Sequence, residues 1–352
     1  MRVIDVVGVN YAYYYGLRIL REEGAAQSSR AGNVLTLTEP LAVTYSTPQE
    51  RVLFDSVRDA NPFLHFFEAL WLLAGRNDAR WLDQFVHDFS ARFAEEDGTL
   101  HGSYGFRWRN HFDMEGGGNP NLPDQLETVV RLLKANPFDR RVVLQMWDAV
   151  SDLGANKRDV PCNLMVLPRL VAKSAGRLEL GITVVCRSND FVWGLTGSNM
   201  VQFSILQEYL AGRLGAEIGT YTQFTTNAHI YTDVLTKLGE PRPFVGPYPS
   251  VTPIGNNWDK WDNDLRLFMA WADSPAPEDF TEVYANTWFA ETAEPLYLAH
   301  HMWRAGHREE AHAFLKSDAY AIAPDWKRAA LEWMERRLAR SMNKKQEHVN
   351  EG

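Results

Sequence analysis

Apolar positions recur along this chain with a helical period in some segments and as short β-branched runs in others. Residues 198–215 place their apolar side chains on one face and end in glycines, which predicts a helix. Residues 61–85 start at Asn-Pro and continue as a dense apolar segment. This predicts a buried helix that contains Glu68 and breaks near Gly75. Residues 122–137 are amphipathic and end at a second Asn-Pro, as expected for a shorter helix.

Runs rich in β-branched and aromatic residues predict strands between these helices. The predicted strands cover residues 140–147, 164–171, 178–187 and 218–231. Residues 113–124 are rich in glycine and proline, which predicts a loop, and residues 258–345 have a mostly helical pattern. Because the strands and helices do not alternate regularly, the pattern predicts an α+β fold.

Charge and cysteine content narrow the possible classes of protein. The chain carries 36 Lys and Arg against 45 Asp and Glu, a formal net charge of −9. Because duplex binding depends on neutralising phosphates, this balance argues against general nucleic-acid binding. Two cysteines are too few for a disulfide framework, and residues 1–20 lack signal-peptide features, so a cytoplasmic protein is expected. No apolar run reaches about 18 residues, so no membrane span is expected.

Cys162 is the residue whose chemistry the sequence leaves most open. A lone cysteine is most often a small buried core residue, and that interpretation stays open. Pro161 directly precedes it and restricts the chain, while Lys157, Arg158 and Arg187 supply positive charge nearby in sequence. A cation close to a thiol favours the thiolate, the form that acts as a nucleophile. Cys162 is therefore a candidate nucleophile.

Six short motifs occur in a characteristic order. They are HFFEALWLLAG (65–75), SYGFRWR (103–109), FDRRVVLQMW (138–147), VPCN (160–163), CRSNDFVWGL (186–195) and NAHIY (227–231). In order and spacing these motifs resemble the thymidylate synthase superfamily over roughly residues 30–235. No comparable match is evident in residues 1–29 or beyond about residue 240. The resemblance implies a thymidylate synthase-like fold, in which helices surround a mixed β-sheet that forms the interface of a homodimer.

The same resemblance divides the chain into two parts. Residues 1–240 are expected to form the catalytic core, within which residues 1–29 are unmatched. Residues 241–352 are expected to form a mostly helical extension packed on that core. The first part of this extension, residues 241–255, is rich in proline and predicts a connecting segment without regular structure.

The family chemistry implies roles for four residues. In the family, a cysteine thiolate adds to C6 of a pyrimidine nucleoside 5′-monophosphate, and C5 then captures a one-carbon unit from 5,10-methylenetetrahydrofolate. No metal takes part. The resemblance places Cys162 as this nucleophile and Glu68 as the group that organises water and proton transfer. It places Asp190 near the folate pterin and Tyr104 in the wall of the nucleotide cavity. A solvated helix residue is the alternative interpretation of Glu68.

The resemblance also implies how the nucleotide is held. Arg187 and Ser188 match phosphate ligands of the same subunit, and Arg140 and Arg141 match a pair that reaches the partner subunit's phosphate. The remaining matches are Arg30 in a mobile phosphate loop, and His229 and Tyr231 at the ribose hydroxyl. Guanidinium groups suit phosphate because they bind its oxygens in pairs. The alternative interpretation of Arg140 and Arg141 is an ordinary surface pair. The alternative interpretation of His229 is a core histidine.

Three departures from thymidylate synthases bear on the product. Counted from Arg187 without a gap, Ser198 takes the place of the asparagine that reads the uracil edge, and a one-residue shift gives that place to Asn199. Asn163 replaces the histidine that usually follows the nucleophile, and the final KKQEHVNEG is polar where family members have an apolar tail that closes over the folate. If water reaches the exocyclic methylene, the product carries a hydroxymethyl group and tetrahydrofolate leaves unoxidised.

These departures favour a pyrimidine-nucleotide 5-hydroxymethylase, with cytidylate, CMP or dCMP, as the expected substrate. A deoxyuridylate hydroxymethylase and a divergent thymidylate synthase that converts dUMP to dTMP are the alternatives within the family. A non-catalytic relative that binds a nucleotide or RNA is a more distant alternative.

Overall fold

The computed structural model describes residues 1–113, 124–274 and 283–350, with side chains described up to residue 341. Its strands are β1 (Arg2–Val6), β2 (Ala25–Ser29), β3 (Gly32–Thr36), β4 (Leu41–Tyr45), β5 (Leu144–Gln145), β6 (Asn163–Ala172), β7 (Leu178–Cys186), β8 (Asn189–Asp190), β9 (Glu217–Thr225) and β10 (Ala228–Tyr231). Its helices are α1 (Val9–Glu23), α2 (Pro62–Leu73), α3 (Phe89–Phe93), α4 (Tyr104–Arg109), α5 (Gln125–Ala135), α6 (Ala149–Asp152), α7 (Asn199–Leu214), α8 (Thr232–Leu238), α9 (Trp261–Ala272), α10 (Glu294–Arg304), α11 (Arg308–Lys316) and α12 (Pro324–Asn350). Nearly all of the loop expected over residues 113–124 lies outside the described residues.

A mixed six-stranded sheet forms the centre of the fold, in the order β1-β4-β9-β7-β6-β5. Strands β1 and β4 are parallel, as are β7 and β9, and the other neighbours are antiparallel. Helix α7 lies across this sheet, where Gln207 Nε2 donates to the carbonyl oxygens of Leu180 and Gly219 at 2.8 and 2.9 Å. These bonds satisfy polar groups of helix and strands in the buried interface. The predicted α+β fold is confirmed.

A second, four-stranded sheet has the order β2-β3-β10-β8. Its strands β8 and β10 directly follow the central-sheet strands β7 and β9, so at two points the chain leaves the central sheet and enters this one without an intervening helix. At this crossing, the Thr226 backbone N–H donates to the carbonyl oxygen of Cys186 at 3.1 Å. The single strand expected over residues 218–231 is therefore two strands, one in each sheet, because the chain leaves the central sheet at Thr226.

The strand expected over residues 140–147 is reduced to β5. The Asp139 carboxylate accepts a bond from the Arg141 backbone N–H at 3.0 Å and also binds its guanidinium. This local bonding holds the chain in a turn, because an aspartate that caps its own following residues competes with strand pairing. Residues Leu144↔Val166 and Gln145↔Met165 are then the only pairs between β5 and β6 in the part of the chain that the structure describes.

Helix α2 carries Glu68 and packs on both sides. Its Asn61 N-cap accepts from two backbone N–H groups, and Pro62 follows at the first helical position, which favours a helix start at this point. The expected break occurs at Gly75, whose φ of +72° is accessible mainly to glycine. One side of α2 packs against α7.

Aromatic side chains from the C-terminal helices cover the opposite side of α2. Phe66 packs on Trp288 and Trp326, with ring centroids 5.4 and 4.9 Å apart, and Phe63 packs on Trp333 at 5.4 Å. The C-terminal helices therefore pack against the side of α2 opposite to α7. The boundary expected at residue 240 stays a prediction. Within the described ranges, no helix has both the length and the apolar content needed to cross a membrane.

Candidate active site

Two neighbouring cavities bring together most of the residues singled out in the sequence. The first, which we call the cysteine cavity, has a volume of about 660 Å³ and contains Arg30, Cys162, Arg187, Ser188, Asp190, His229 and Tyr231 in its wall. The second, the glutamate cavity, has a volume of about 210 Å³ and contains Glu68, Tyr104, Ser198, Asn199 and Gln202. Phe93 and Asp159 line both cavities.

Cys162 lies directly before β6, and the β6–β7 pairing fixes its position. Asn163 pairs with Cys186 and Met165 pairs with Val185, so Leu164 is an extra residue in a β-bulge next to the cysteine. Bulges of this kind redirect the neighbouring side chains. The Arg187 backbone N–H donates to the Cys162 carbonyl oxygen at 2.9 Å. The cysteine and the arginine are therefore held opposite each other at the end of two paired strands.

The Arg187 guanidinium is the cation that contacts the thiol. Its Nη2 lies 3.8 Å from Cys162 Sγ, and its Nε and Nη2 donate to the carbonyl oxygens of Pro161 and Val160. Burial raises the pKa of the Cys162 thiol, and Arg187 opposes that rise while Asp159 adds to it. The site therefore desolvates the nucleophile and offsets part of the cost with one positive charge.

Lys157 and Arg158 do not take the part that their positions in the sequence suggested. Lys157 Nζ lies 3.6 Å from the Glu95 carboxylate, and Arg158 Nη1 donates to backbone carbonyls of residues 91 and 94. Arg158 still lines the cysteine cavity, but neither side chain has a contact with the thiol among the described residues. The expectation that all three cations act on Cys162 is corrected to Arg187 alone.

The remaining wall of the cysteine cavity offers cationic and hydroxyl groups. Arg30 lies at the turn between β2 and β3, where Ser29 Oγ donates to the Gly32 carbonyl oxygen at 2.6 Å and closes the hairpin. His229 and Tyr231 lie two residues apart on β10 with ring centroids 5.8 Å apart, and both line the cavity. Two guanidinium groups together with an imidazole and a phenol can bind an anion that is joined to a sugar.

Arg140 and Arg141 are not part of either cavity. Both are exposed, and Arg141 pairs with Asp139 while its side chain remains 86% exposed. Their exposure agrees both with an ordinary surface pair and with a pair that reaches a partner subunit. Their expected contact with a partner subunit's phosphate stays a prediction.

Glu68 is a buried carboxyl in the glutamate cavity. Glu68, Trp71 and Leu72 lie on one face of α2, at the i, i+3 and i+4 spacing, and all three line this cavity. Burial raises the pKa of Glu68, while nearby Ser198 and Gln202 oppose the rise. Glu68 Oε2 has no hydrogen-bond partner among the described residues. A carboxyl whose pKa is raised in this way is suited to proton transfer.

Tyr104 and Asn163 add two further polar groups beside Glu68 and Cys162. Tyr104 begins α4, and burial raises its pKa well above the ordinary tyrosine value, so it stays protonated. Asn163 is fully buried, and both of its amide atoms lack a geometric hydrogen-bond partner in the described part of the chain. Unpaired buried amide atoms are costly, and the polar side chain that interacts with Asn163 is Tyr104.

Asp190 both caps a helix and presents a free oxygen. Its Oδ1 accepts from the backbone N–H groups of Val192 and Trp193 at 2.8 and 2.6 Å. Its Oδ2 is buried with no partner among the described residues, and burial raises the pKa of the carboxyl. The segment that Asp190 caps, Phe191–Ser198, is π-helical and separates Asp190 from the start of α7 at Asn199. Asn199, rather than Ser198, is therefore a candidate for the residue that contacts the edge of the base.

Asn199 is paired with a second amide. Its Nδ2 donates to Asn189 Oδ1 at 3.1 Å, and both residues are buried. Gly194 allows this contact, because a Cβ there would lie 2.1 Å from Asn189 Oδ1. One N–H of Asn199 is thus bound to Asn189, which leaves its carbonyl oxygen as an acceptor and its second N–H as a donor.

Two residues of the site were missed in the sequence. Asp159 stands directly before the motif VPCN and three residues before Cys162, and its charge next to a candidate nucleophile was the available signal. Trp193 is 52% exposed, with the Arg58 guanidinium 4.1 Å from its ring centroid. An exposed tryptophan next to a capping aspartate offers a flat surface for another ring. No group of three or more potential metal ligands is found among the described residues.

Known proteins with similar sequences were found over most of the chain. The thymidylate synthase family model matches residues 12–241, so the match begins earlier than the expected residue 30 and includes most of α1. A deoxyuridylate hydroxymethyltransferase of Pseudomonas phage M6 is 36% identical over 100% of this chain and 99% of its own length. A deoxyuridylate hydroxymethyltransferase of Bacillus phage SP01 is 33% identical over 60% of this chain and 54% of its own length. The human thymidylate synthase is 32% identical over 50% of this chain and 61% of its own length.

The environment of Cys162 predicts how its reactivity changes with pH. We expect the rate at which iodoacetamide alkylates Cys162 to rise with pH, and the midpoint of that rise to lie above the ordinary thiol pKa, because burial disfavours the thiolate. Arg187→Gln should raise this midpoint further, by about one pH unit, because the opposing charge is lost. Peptide mass spectrometry across a pH series measures the modification of each cysteine separately.

Ser188→Ala is the matched control, since it alters the neighbouring residue without removing a charge. Cys186 should remain unmodified in the folded protein because it is fully buried and burial raises its pKa. A midpoint that falls in Arg187→Gln would contradict the assigned role of the guanidinium.

Proposed function

We propose that this chain, which belongs to the thymidylate synthase family and transfers a one-carbon unit to a pyrimidine nucleoside monophosphate, hydroxymethylates deoxyuridylate. The observation that carries the proposal is Cys162 beside Arg187 in the wall of a cavity large enough for a nucleotide. The full-length similarity to a protein named deoxyuridylate hydroxymethyltransferase supports the choice of base, sugar and product. Cytidylate, the substrate expected from the sequence, becomes the second candidate.

The amide pair in the glutamate cavity supports uracil over cytosine. We assign the Asn199 carbonyl oxygen to the base; the NH₂ group donates one N–H to Asn189 and keeps a second N–H. Uracil has a hydrogen on N3 that can be donated to such an acceptor, whereas N3 of cytosine is itself an acceptor. Placing two acceptors against each other in a buried site leaves both unpaired, which costs about 1–3 kcal/mol. The deoxyuridylate proposal therefore agrees with the amide orientation.

In the proposed first half of the reaction, Cys162 supplies the nucleophile. Its thiolate forms a bond to C6, and the electron pair of the C5–C6 double bond moves to C5 and the C4 oxygen. Glu68 is suited to stabilise that oxygen by donating a proton toward it, because burial raises the pKa of its carboxyl and so favours the protonated form. C5 then bonds to the methylene carbon of 5,10-methylenetetrahydrofolate, and the bond from that carbon to one folate nitrogen breaks, so that the nitrogen takes the electron pair and a proton. Tyr104 stays protonated and serves as a hydrogen-bond donor in the cavity wall.

In the proposed second half, C5 loses its hydrogen as a proton and tetrahydrofolate departs. The departure leaves an exocyclic methylene on C5 of the cysteine adduct. Water adds to this carbon, and the electron pair of the methylene double bond moves to the ring. The ring then expels Cys162 as a thiolate and restores the C5–C6 double bond. Tetrahydrofolate is released without oxidation, since no hydride is transferred.

The remaining residues are proposed to hold the two substrates. Arg30, Arg187 and Ser188 would bind the phosphate, and His229 with Tyr231 would bind the sugar hydroxyl, since all of them line the cysteine cavity. Asp190 Oδ2 suits the N–H groups of a pterin, because it is an unpaired buried acceptor. The exposed ring of Trp193 lies beside it and can stack on the same ring system.

Product analysis tests the proposed function directly. With 5,10-methylenetetrahydrofolate, we expect tritium release from C5-labelled dUMP and a product heavier by about 30 Da, the mass of the captured CH₂O. CMP and dCMP, assayed in parallel, should release tritium at least about tenfold more slowly, which corresponds to one lost hydrogen bond. A gain of about 14 Da from dUMP would instead identify a thymidylate synthase. Cys162→Ser is the negative control.

The base-reading position is tested by exchanging Asn199. Asn199→Asp should lower the preference for dUMP over dCMP at least about tenfold, because a protonated carboxyl can donate to cytosine N3. The ratio of kcat/KM for the two nucleotides is the measurement. Ser198→Ala is the matched control and should leave the ratio within about threefold, since less than one hydrogen bond changes. A larger change in the control than in Asn199→Asp would assign the base contact to Ser198.

We further propose a homodimer whose phosphate site is completed by Arg140 and Arg141 of the partner. Arg140→Ala and Cys162→Ser should each be inactive, and mixing them should restore activity in hybrid dimers. Random exchange gives at most about one quarter of the full activity, because half of the dimers are hybrids with one intact site. Absence of recovery, with subunit exchange shown by native mass spectrometry, would contradict the shared site.

A further inference from the structure

Asp159 occupies the boundary between the two cavities. Its side chain lines the cavity that contains Cys162 and also the cavity that contains Glu68. The Gly102 backbone N–H donates to Asp159 Oδ2 at 3.1 Å, and no second donor to this carboxylate is found among the described residues. Asp159 also keeps part of its surface accessible. One oxygen is thus fixed in position, while the carboxylate retains capacity to accept from a bound molecule.

The local chain is built to bring this carboxylate close to the backbone of residue 102. A Cβ on Gly102 would lie 3.0 Å from both the carbonyl oxygen and Oδ2 of Asp159. Glycine therefore permits the approach, and a larger residue would push the carboxylate away. Asp159 precedes Cys162 by three residues, with Val160 and Pro161 between them, and Arg187 binds both of the intervening carbonyls. Its position relative to the nucleophile is set by the same arginine.

We propose that Asp159 is the general base that delivers water to the exocyclic methylene and so determines the hydroxymethyl product. This role rests on the proposed function. The water oxygen forms a bond to the methylene carbon, and one water proton passes to the Asp159 carboxylate. The electron pair of the C5–methylene double bond moves into the ring, and Cys162 later leaves with its bonding pair. The proton held by Asp159 then returns to solvent, so charge and atoms balance.

The other carboxyls of the site are less suited to this task. Glu68 lines the glutamate cavity alone, and we assign it to the C4 oxygen of the base. Asp190 lines the cysteine cavity alone and uses one oxygen to cap the π-helical segment. Of these three half-buried residues, Asp159 is the one that lines both cavities. A water bound to it would lie where the nucleotide and the one-carbon donor meet.

Two readouts separate this role from the proposed function. Tritium release from C5-labelled dUMP reports the steps before water addition, and formation of hydroxymethyl-dUMP reports water addition itself. In a single turnover with enzyme in excess of dUMP, Asp159→Asn should keep the rate of tritium release within about threefold and lower the rate of hydroxymethyl formation by about 100-fold, the usual contribution of a general base. Added 2-mercaptoethanol should then capture the waiting methylene as a thioether, which mass spectrometry detects.

Glu95→Gln is the matched control. Glu95 accepts from the Arg158 backbone N–H at 3.1 Å and lies outside both cavity walls, so the exchange removes a nearby negative charge and keeps an acceptor. It should leave the ratio of hydroxymethyl product to tritium release unchanged. Asp159→Glu keeps a carboxylate and should recover part of the lost product.

Equal losses of both readouts in Asp159→Asn and Asp159→Glu would overturn the role of Asp159, because they indicate damage to the whole site. Unchanged hydroxymethyl formation in Asp159→Asn would overturn it as well. Lack of tritium release by the unsubstituted protein would reject the proposed function, and that result is distinguishable because it requires no variant.

Discussion

The pairing of β6 with β7 next to Cys162 is the constraint on which the site depends. Asn163 pairs with Cys186, and the Arg187 backbone N–H then binds the Cys162 carbonyl oxygen. The Arg187 side chain also donates to the carbonyl oxygens of Val160 and Pro161 on the neighbouring segment. One strand pair therefore fixes both the nucleophile and the cation beside it. A shift of register by one residue would turn both side chains away, because strand side chains alternate.

Hydrophobic packing behind α2 determines the chemistry of Glu68. The aromatic rings of the C-terminal helices cover the far side of α2, and this cover excludes water from the helix that carries the carboxyl. Burial then raises the pKa of Glu68, since a charged carboxylate is poorly solvated there. The C-terminal extension is far from Glu68 in sequence, yet its packing contributes to the acid-base property that the proposed reaction uses.

The sequence predicted much of the fold and many of the cavity residues, because both depend on local patterns. The α7 helix and the β6 and β7 strands follow directly from periodicity, and the cavity residues follow from short motifs. The division of residues 218–231 between two sheets could not be predicted, since it depends on long-range bonds at Thr226. The Asn189–Asn199 pair was also beyond prediction, because the π-helical segment between them sets their approach. Asp159 has no periodicity to mark it, and only its place in three dimensions shows that it faces both cavities.

Buried carboxylates outside the cavities are held by ion pairs or, in Asp264 and Asp325, by several hydrogen bonds. Outside the cavities, buried or partly buried carboxylates such as Asp59 and Glu208 bind arginines, and these pairs offset the cost of desolvation. Glu68, Asp159 and Asp190 have no such ion pair among the described residues, and burial raises the pKa of each. A chain selected only for stability would pair or replace them, because an unpaired buried carboxyl is unfavourable. Their retention around Cys162 is therefore best explained by proton transfers and hydrogen bonds that are completed only when the substrates are bound.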